Sequence, residues 1–417
     1  MSSIAVSSAQ EAMWLEQNLA PDVPNNTTTI WVVRGELDLP VLEDAFRLAL
    51  GESDPLLVNF RRKGDELRLV CRELGDWEPF RVDVSDAADP SSAARDLLAE
   101  EVRRPFDLGA DLLFRIGTVR LGDGHHLICL ILHHLVTDGY GVFALLSQRI
   151  AEVYRALRAG SPVPEKPRTP PGIDGEREAE YRSSGGFAEA EDFWRDYVAG
   201  DGRAARLPTG VRAVTTSRID DSADDAGFWD CLTAPLGAAS YTARIEAGEV
   251  ARWDASGVAV PDLLTAATAA FLQRWCDVPK PLLSFSVNYR SGKIRQALGL
   301  YSNALPMAVD VAPAADLVEL AGRVRAERLR VLEHAEYNVS LIKRAIGHAG
   351  DVRSPFGPLI SVVSFLRELD LAGATGRFVG GTLGQTDDIR IAAFGDGGAH
   401  SDLYFRFDAP ATMYSRE

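Results

Sequence analysis

The chain has 417 residues, 46% of them hydrophobic, which is enough to bury a large core in two domains or in one two-lobed body. Its formal net charge of −16 argues against nucleic acids and anionic membranes as partners. We see no signal peptide and no membrane-spanning stretch, so we expect a cytoplasmic protein. The scattered cysteines fit a reducing compartment and argue against a disulfide framework or a zinc site; they are Cys71, Cys129, Cys231 and Cys276.

The first third of the chain alternates helical and extended patterns. Ser7 begins an amphipathic helix in which Met13 and Trp14 are expected to be the buried anchors. Asp38 is predicted to cap a second helix that has Pro40 near its first turn. Apolar and β-branched runs predict strands near 27–33, 56–61, 66–70, 80–84 and 113–121, and a further helix is predicted at 91–104.

The most informative stretch of the sequence runs from 127 to 154. An unbroken apolar run at 127–132 predicts a short buried strand, and the run from Val142 to Tyr154 has apolar residues at helical spacing. Two histidines end this strand, and an Asp-Gly turn leads into the helix. Ligands and chemistry often lie in such strand-to-helix connections.

The spacing within this connection predicts different tasks for the two histidines. Adjacent residues at the end of a strand point in opposite directions, so His133 and His134 cannot both face one cavity. Asp138 is expected to brace the turn, and Gly139 to allow a backbone conformation that a side chain would block. A neutral imidazole held here can accept a proton from an amine or a hydroxyl. Because the histidines diverge and neither Cys nor a third His lies nearby, we expect no metal site.

A second histidine doublet provides a comparison within the same chain. His125 and His126 follow a Gly-Asp-Gly turn signal, and no Asp-Gly follows them, so they predict an exposed hairpin end. The alternative interpretation of the first doublet is two hydrogen-bonded core histidines before an ordinary turn. The doublet, the spaced Asp-Gly and the buried strand together favour a functional site.

A proline-rich stretch at 159–172 predicts a linker between two lobes. We therefore divide the chain into an N-terminal lobe at 1–160, a linker at 161–175 and a C-terminal lobe at 176–417. The second lobe again alternates helices and strands. Its predicted elements are a helical hairpin near 180–194, helices at 261–275 and 317–333, and strands at 282–287, 359–365 and 402–407.

His133-His134-x-x-x-Asp138-Gly139 matches the HHxxxDG signature of the chloramphenicol-acetyltransferase-like superfamily, and it most closely resembles the condensation domains of nonribosomal peptide synthetases. The segment 7–14 resembles a second family motif, S-x-A-Q-x-R-[LM]-W, with Ala12 in place of Arg. The segment 102–115 resembles R-x-x-P-F-D-L…P-L-x-R, with Val102 and Leu112 as departures. Looser matches continue to about residue 407, so the resemblance covers nearly the whole chain.

The resemblance implies an α/β (α+β) fold of two chloramphenicol-acetyltransferase-like lobes, arranged as a V-shaped pseudo-dimer around a central tunnel. It implies a floor region at about 285–306 and a latch segment, which joins the two lobes, at about 380–398. It also implies that the family's final strand and helix are shortened or truncated here.

The same resemblance assigns roles to individual residues. His134 is implied to be the catalytic residue, acting as a base or by stabilising the tetrahedral intermediate, with His133 and Gly139 in support. Gly139 and nearby backbone N–H groups are candidate donors to the oxyanion. Arg115 and Asp138 are implied to form an ion pair that holds the loop. The residues implied to line the tunnel are Arg290, Tyr301 and Asn303.

The implied function is formation of an amide or ester bond between an acyl thioester donor and an amine or hydroxyl acceptor. The donor is carried on the phosphopantetheine of a carrier protein or on CoA, and no tightly bound cofactor is expected. Donor and acceptor carrier proteins are the expected partners of a monomer. Two alternatives stay open: a freestanding acyltransferase on a soluble acceptor, and a catalytically silent condensation-like domain that recruits another enzyme.

Overall fold

The computed structural model describes residues 4–207, 238–312, 316–348, 353–383, 387–398, 400–411 and 413–414. Cys231 lies outside these residues. No single described helix is long and apolar enough to cross a bilayer, although two consecutive helices that bend by 94° reach that length and composition together.

The first half of the chain supplies helices α1–α6 and strands β1–β8. The helices are α1 (Ser8–Leu19), α2 (Leu39–Gly51), α3 (Pro90–Arg103), α4 (Ser147–Arg158), α5 (Ile173–Arg182) and α6 (Gly185–Val198). The strands are β1 (Ile4–Ala5), β2 (Asn26–Arg34), β3 (Val58–Lys63), β4 (Glu66–Cys71), β5 (Phe80–Asp83), β6 (Phe114–Gly122), β7 (His125–His133) and β8 (Arg203–Ala204). The predicted cap of α2 is confirmed, because Asp38 accepts a hydrogen bond from the N–H of Val41.

The second half of the chain supplies helices α7–α10 and strands β9–β16. The helices are α7 (Ala247–Ala255), α8 (Val260–Cys276), α9 (Leu317–Leu332) and α10 (Val339–Ala345). The strands are β9 (Ala238–Ile245), β10 (Pro281–Asn288), β11 (Ser302–Ala308), β12 (Leu359–Val363), β13 (Leu369–Leu371), β14 (Ala374–Leu383), β15 (Arg390–Phe394) and β16 (Leu403–Pro410).

Two large sheets organise the molecule and bear out the predicted mixed α/β class. The N-terminal sheet has the order β13-β14-β2-β7-β6-β5, and the C-terminal sheet has the order β11-β10-β12-β15-β16-β9, with β8 pairing to β10. In the first sheet β7 lies between β2 and β6, antiparallel to both. All of β7 after its first residue is buried, so the histidine doublet leaves the centre of this sheet.

The chain crosses between the two sheets and back. Strand β12 belongs to the C-terminal sheet, β13 and β14 complete the N-terminal sheet, and β15 returns to the C-terminal sheet. Simple division of the chain at the proline-rich linker is therefore wrong for 369–383, since these residues pair with the first lobe. The latch predicted at 380–398 includes the end of this crossover, which begins earlier, at β13. The linker also ends before the predicted boundary at residue 175, because α5 begins at Ile173.

Two burial predictions require correction. The fully buried side chains of α1 are Gln10 and Gln17, whereas Met13 and Trp14 are only partly buried. The reason is that α1 covers a polar interior beneath the histidine doublet, where amide side chains satisfy buried hydrogen-bonding groups. His126 is buried with 7% exposure, because it lies one residue inside the central strand, so the second doublet is not fully exposed.

An aromatic cluster joins the crossover to both sheets. The ring of Phe378 on β14 lies 5.7 Å from Trp31 on β2 and 5.3 Å from Phe143, which follows the histidine motif. It also stacks at 5.9 Å on Phe394 of β15 in the C-terminal sheet. Phe378 therefore packs the crossover strand against parts of both lobes, and these contacts supply edge-to-face and stacked ring geometry as well as apolar burial.

We predict that Phe378→Ala destabilises the protein by about 3 kcal/mol, the lower end of the range for loss of a core aromatic ring, because the ring is only partly buried. Unfolding in urea, followed by tryptophan fluorescence, measures this loss. Arg377→Ala is the matched control, since Arg377 is the exposed neighbour on the same strand. Equal stability losses in the two variants would contradict a bridging role for Phe378.

Candidate active site

The two histidines at the end of β7 occupy different environments, as strand alternation predicts. His133 is 1% exposed. Its Nδ1 accepts a hydrogen bond from the N–H of Leu135 at 3.1 Å, and its Nε2 lies 3.2 Å from Oε1 of Gln17. An Nδ1 that accepts must be unprotonated, so Nε2 carries the proton and donates it to Gln17. Burial lowers the pKa of His133 to about 3, with His134 and Arg115 acting in the same direction. His133 is therefore a neutral structural residue.

His134 faces a cavity instead of the protein interior. Its backbone N–H donates to the carbonyl of Asn25 at 2.8 Å, which fixes the main chain beside β2. Burial lowers the pKa of its imidazole below the usual value; Asp138 raises this pKa, and Arg390 lowers it further. The neutral form is consequently favoured at pH 7, and a neutral imidazole can accept a proton.

Asp138 is held by donors from both halves of the chain. Its Oδ1 accepts from the N–H of Gly141 at 2.9 Å, and its Oδ2 accepts from the N–H of Tyr301 at 2.9 Å. Oδ2 also forms an ion pair with Arg290 at 2.7 Å, in which the side chains are 1% and 3% exposed. Since its carboxylate braces the motif turn against the floor region, Asp138 is a positioning residue for His134.

Arg290 brings the floor region to this carboxylate. Its Nε and Nη2 donate to the carbonyl groups of Ala297 and Gly299 at 3.1 Å each. Its guanidinium also lies 4.7 Å from the ring centre of Tyr301. The predicted ion pair between Arg115 and Asp138 is therefore wrong, because Arg290 occupies that position.

Arg115 serves a different part of the N-terminal lobe. Its guanidinium donates to the carbonyl groups of Glu101 and Arg104, lies 3.4 Å from the carboxylate of Glu101 and stacks 3.9 Å from the ring centre of Phe106. It holds the end of α3 against β6.

A buried network connects α1, the linker helix and the floor. The hydroxyl of Tyr301 pairs with Oδ1 of Asp174 near the start of α5. Nε2 of Gln10 donates to Oδ2 of Asp174 at 3.1 Å and to the carbonyl of Leu135 in the motif loop at 3.3 Å. Burial raises the pKa of Asp174 to about 7, although Tyr301 and Arg290 oppose this rise. The network makes the position of the motif loop depend on a residue in the predicted linker.

Two cavities meet at His134. The larger arm, about 420 Å³, has a mostly apolar wall that includes Val287, Leu300, Val363 and Phe365. The smaller arm, about 190 Å³, has a larger share of polar residues in its wall, including Ser284, Ser354, Asp387 and Asp388. The residues common to both arms include His134, Met13, Lys343, Leu359 and Arg390. One imidazole therefore lies in the wall of both arms.

The structure corrects two of the three predicted tunnel residues. Arg290 and Tyr301 are buried behind the wall and hold Asp138. Asn303 does line the larger arm. Its Nδ2 donates to the carbonyl groups of Ala335 and Tyr337 at 2.9 Å each, and its Oδ1 accepts from the N–H of Val339 at 3.0 Å. Asn303 therefore holds the wall at the start of α10.

The glycines of the motif have separate roles. Gly139 lines the larger arm, as a candidate oxyanion donor must. Glycine is required instead at position 141, because the side chain of Thr137 packs directly on its backbone. A Cβ added to Gly141 would lie 2.4 Å from Oγ1 of Thr137. The N–H of Gly141 donates to Asp138, so it does not serve as an oxyanion donor.

Sequence reasoning missed Gln10, Gln17, Asp174 and Arg390. Gln10 lies in a helix for which the sequence predicted apolar residues, not glutamines, as the buried anchors. Asp174 lies in the segment that was predicted to be a linker. Arg390 follows a polar, glycine-rich segment, and no periodic pattern of apolar residues around it predicted that it would be buried. Burial of such polar residues becomes visible only when the two lobes are assembled.

A family model described as "Condensation domain" matches residues 2–377. An isonitrile lipopeptide synthase of Streptomyces coeruleorubidus is 28% identical over 410 residues, which are 97% of this chain and 27% of that protein. Enterobactin synthase component F of Escherichia coli O157:H7 is 27% identical over 401 residues, 95% of this chain and 30% of that protein. The chain thus spans less than a third of the length of these relatives.

Solved structures of similar fold include condensation domains with bound small molecules. A variant of the starter condensation domain of rhizomide synthetase, in complex with C8-CoA, has a TM-score of 0.86 and 26% identity and covers 99% of this chain and 90% of that one. The first condensation domain of the calcium-dependent antibiotic synthetase, with a substrate analogue, has a TM-score of 0.82 and 25% identity, with 99% and 92% coverage.

We predict that the single variants Asp138→Asn and Arg290→Met each destabilise the protein by about 3–5 kcal/mol, because each leaves a buried partner unpaired. The double variant should lose less than the sum of the two. Urea unfolding of the four proteins gives the coupling energy between the side chains.

Arg115→Met combined with Asp138→Asn is the control cycle, since Arg115 shares no hydrogen bond with Asp138. These effects should add within about 0.5 kcal/mol. If the coupling energy with Asp138 were larger for Arg115 than for Arg290, the ion pair between Arg115 and Asp138 that the sequence predicted would be correct after all.

We predict that the stability contributed by Asp174 falls as pH rises. Its pKa of about 7 lies above the value of 3.8 for an unperturbed Asp, so the folded protein binds this proton more tightly than the unfolded chain. The contribution is fully present below pH 3.8, declines by roughly 1.4 kcal/mol per pH unit and is lost above pH 7. We follow the free energy of unfolding in urea between pH 5 and 7.5. In Asp174→Asn it should fall less steeply with rising pH than in wild type, by the slope just given. The exposed control Asp65→Asn should keep the wild-type slope. An unchanged slope in Asp174→Asn would contradict this assignment.

Proposed function

The chain belongs to the condensation-domain family, and we propose that it joins an acyl thioester to an amine acceptor at His134. Condensation domains of nonribosomal peptide synthases catalyse amide bond formation, an acyltransferase reaction. The observation that carries the proposal is the meeting of two arms at one partly buried imidazole whose lowered pKa favours the neutral form.

The reaction balances without a cofactor. The acceptor nitrogen attacks the thioester carbonyl carbon, a C–N bond forms, and the C–S bond breaks as the tetrahedral intermediate collapses. The nitrogen gives up a proton, and the departing thiolate takes one up. His134 is positioned to accept the first proton and to supply the second, and its lowered pKa keeps it unprotonated before attack. The N–H of Gly139 is the candidate donor to the oxyanion.

We assign the two arms by their walls. The larger arm, with Val287, Leu300, Val363 and Phe365, suits an acyl chain, and the C8-CoA bound to the rhizomide neighbour supports an acyl thioester as donor. The smaller, more polar arm suits the amine acceptor. Carrier proteins bearing phosphopantetheine are the proposed sources of both substrates, with CoA as an alternative for the donor. Holding both reactants at one centre accounts for up to roughly 7–11 kcal/mol of the barrier.

The leading alternative is an acyltransferase acting on a soluble amine. The smaller arm, at about 190 Å³, is large enough for a free amino acid, so this alternative uses the same site and the same chemistry. It differs only in whether the acceptor carboxyl is a thioester or a free acid. A silent recruitment domain is disfavoured, because His134, Asp138 and their supporting contacts are all in place.

We predict that His134→Ala lowers amide formation by roughly 10²–10⁴-fold, the usual contribution of general acid–base catalysis. Purified protein is incubated with octanoyl-CoA or an octanoyl carrier protein and a panel of aminoacyl thioesters, and product is measured by mass spectrometry. His125→Gln is the matched control, because His125 belongs to the other doublet and lies at a hairpin remote in the sheet from the arms. Equal rates for wild type and His134→Ala would reject the catalytic role of His134.

A further inference from the structure

The wall of the smaller arm includes two neighbouring segments of the C-terminal lobe. One segment, 354–357, precedes β12, and the other, 387–390, leads into β15. The two strands are parallel neighbours, and the N–H of Leu359 donates to the carbonyl of Ile389 at 2.8 Å. Among the described residues, no backbone hydrogen bond joins the two segments before this point. Side chains must therefore hold this part of the wall together.

Three side chains from three segments of the chain meet beside this wall. Nε of Arg353, just before the first segment, lies 3.3 Å from Oδ2 of Asp388 in the second. The hydroxyl of Tyr414 joins both groups, because it donates to Oδ1 of Asp388 and accepts from Nη2 of Arg353. Oδ1 of Asp388 also accepts from the N–H of Ile389 at 2.9 Å. Arg353, Asp388 and Tyr414 thus form one hydrogen-bonded cluster.

The cluster is shielded from solvent. Asp388 and Tyr414 are buried, and the side chain of Arg353 is largely buried. Burial raises the pKa of Tyr414 above its usual value, and its hydrogen bond with Asp388 acts in the same direction. The hydroxyl therefore keeps its proton at neutral pH and remains a donor. A buried carboxylate needs such donors, and a hydrogen bond to a charged group contributes more than one to a neutral group.

Tyr414 reaches the cluster from a part of the chain that lines neither arm. It follows β16, and a turn in which its N–H donates to the carbonyl of Pro410 at 3.0 Å brings it back towards the sheet. Asp388, by contrast, lines the smaller arm. Any effect of Tyr414 on a substrate must therefore pass through Asp388 and the two wall segments that the cluster holds together.

We propose that Tyr414 is a positioning residue for the amine acceptor, because it holds Asp388 and Arg353 so that the wall of the smaller arm keeps its shape. The inference rests on the proposed function, since it uses the assignment of the smaller arm to the acceptor. The motif loop that presents His134 is held by other contacts, those of Asp138. Loss of the Tyr414 hydroxyl should therefore weaken acceptor binding and leave proton transfer intact.

The experiment measures steady-state kinetics of Tyr414→Phe, which removes the hydroxyl and keeps the ring. The donor is octanoyl-CoA, and the acceptor is the aminoacyl N-acetylcysteamine thioester that gives the most product with wild type. The KM for the acceptor should rise by roughly 10-fold, which corresponds to the lower end of the contribution of a hydrogen bond to a charged group. The kcat and the KM for the donor should stay at their wild-type values.

Tyr154→Phe is the matched control. Tyr154 is fully buried in the N-terminal lobe and lines neither arm, and its hydroxyl accepts from the N–H of Asp38 at 3.0 Å. The control therefore loses a buried hydroxyl without a change in the acceptor KM. A second comparison combines Tyr414→Phe with Asp388→Asn. Because a hydrogen bond to a neutral amide is weaker than one to a carboxylate, loss of the hydroxyl should raise the acceptor KM less in this background than in wild type.

Hydrogen exchange followed by mass spectrometry gives a readout that needs no product. In Tyr414→Phe the backbone amides of 354–359 and 387–390 should exchange faster than in wild type, because the two segments lose a side-chain contact that limits local opening. In Tyr154→Phe the same segments should exchange at wild-type rates.

The outcomes separate failure of the inference from failure of the proposed function. An unchanged acceptor KM in Tyr414→Phe, an equal rise in Tyr154→Phe, or a rise in the KM for the donor alone would overturn the role of Tyr414 while leaving amide formation intact. If no thioester gives product with wild type, the proposed function fails. Hydrogen exchange then decides whether Tyr414 holds the wall: faster exchange in the two segments supports it, and unchanged exchange overturns it.

Discussion

The ion pair between Asp138 and Arg290 is the interaction on which the geometry of the site depends. It joins residues 152 positions apart, one in the motif loop of the N-terminal lobe and one in the floor of the C-terminal lobe. A buried pair is tolerated only when its remaining donors and acceptors are satisfied. Here both oxygens of Asp138 accept backbone N–H groups, and Arg290 donates to two backbone carbonyls. The loop that presents His134 therefore keeps its shape only while the lobes remain together.

A second layer of hydrogen bonds determines which histidine faces the cavity. Oε1 of Gln17 accepts from the N–H of Asn25 and from Nε2 of His133, so one amide oxygen joins α1, the start of β2 and the end of β7. This arrangement holds His133 in a single tautomer beneath the cavity floor. Strand alternation then directs His134 to the opposite side, into the cavity. The chemical difference between the two identical side chains therefore follows from strand alternation and from a glutamine on α1.

Local patterns predicted the parts of this site that are local. The buried strand and the divergence of the two histidines follow from side-chain period, and the structure reproduces them. The special backbone conformation expected of Gly139 is not found, because the chain is already helical at this residue. The partner of Asp138 could not be deduced in this way, because Arg115 and Arg290 both lie in or beside strands and sequence spacing does not encode which one reaches the loop. Asp174 was missed for a related reason: a carboxylate after a proline-rich segment looks solvated until a second lobe covers it.

The surroundings of His134 act on its imidazole in opposite directions. Burial lowers the pKa of the imidazole and Arg390 lowers it further, whereas Asp138 raises it. Asp138 in turn is held by Arg290 and by the N–H of Tyr301, which both belong to the C-terminal half of the chain. The same carboxylate that positions the motif loop therefore keeps the imidazole more basic than burial alone would allow, and its ability to do so depends on residues from both halves of the chain.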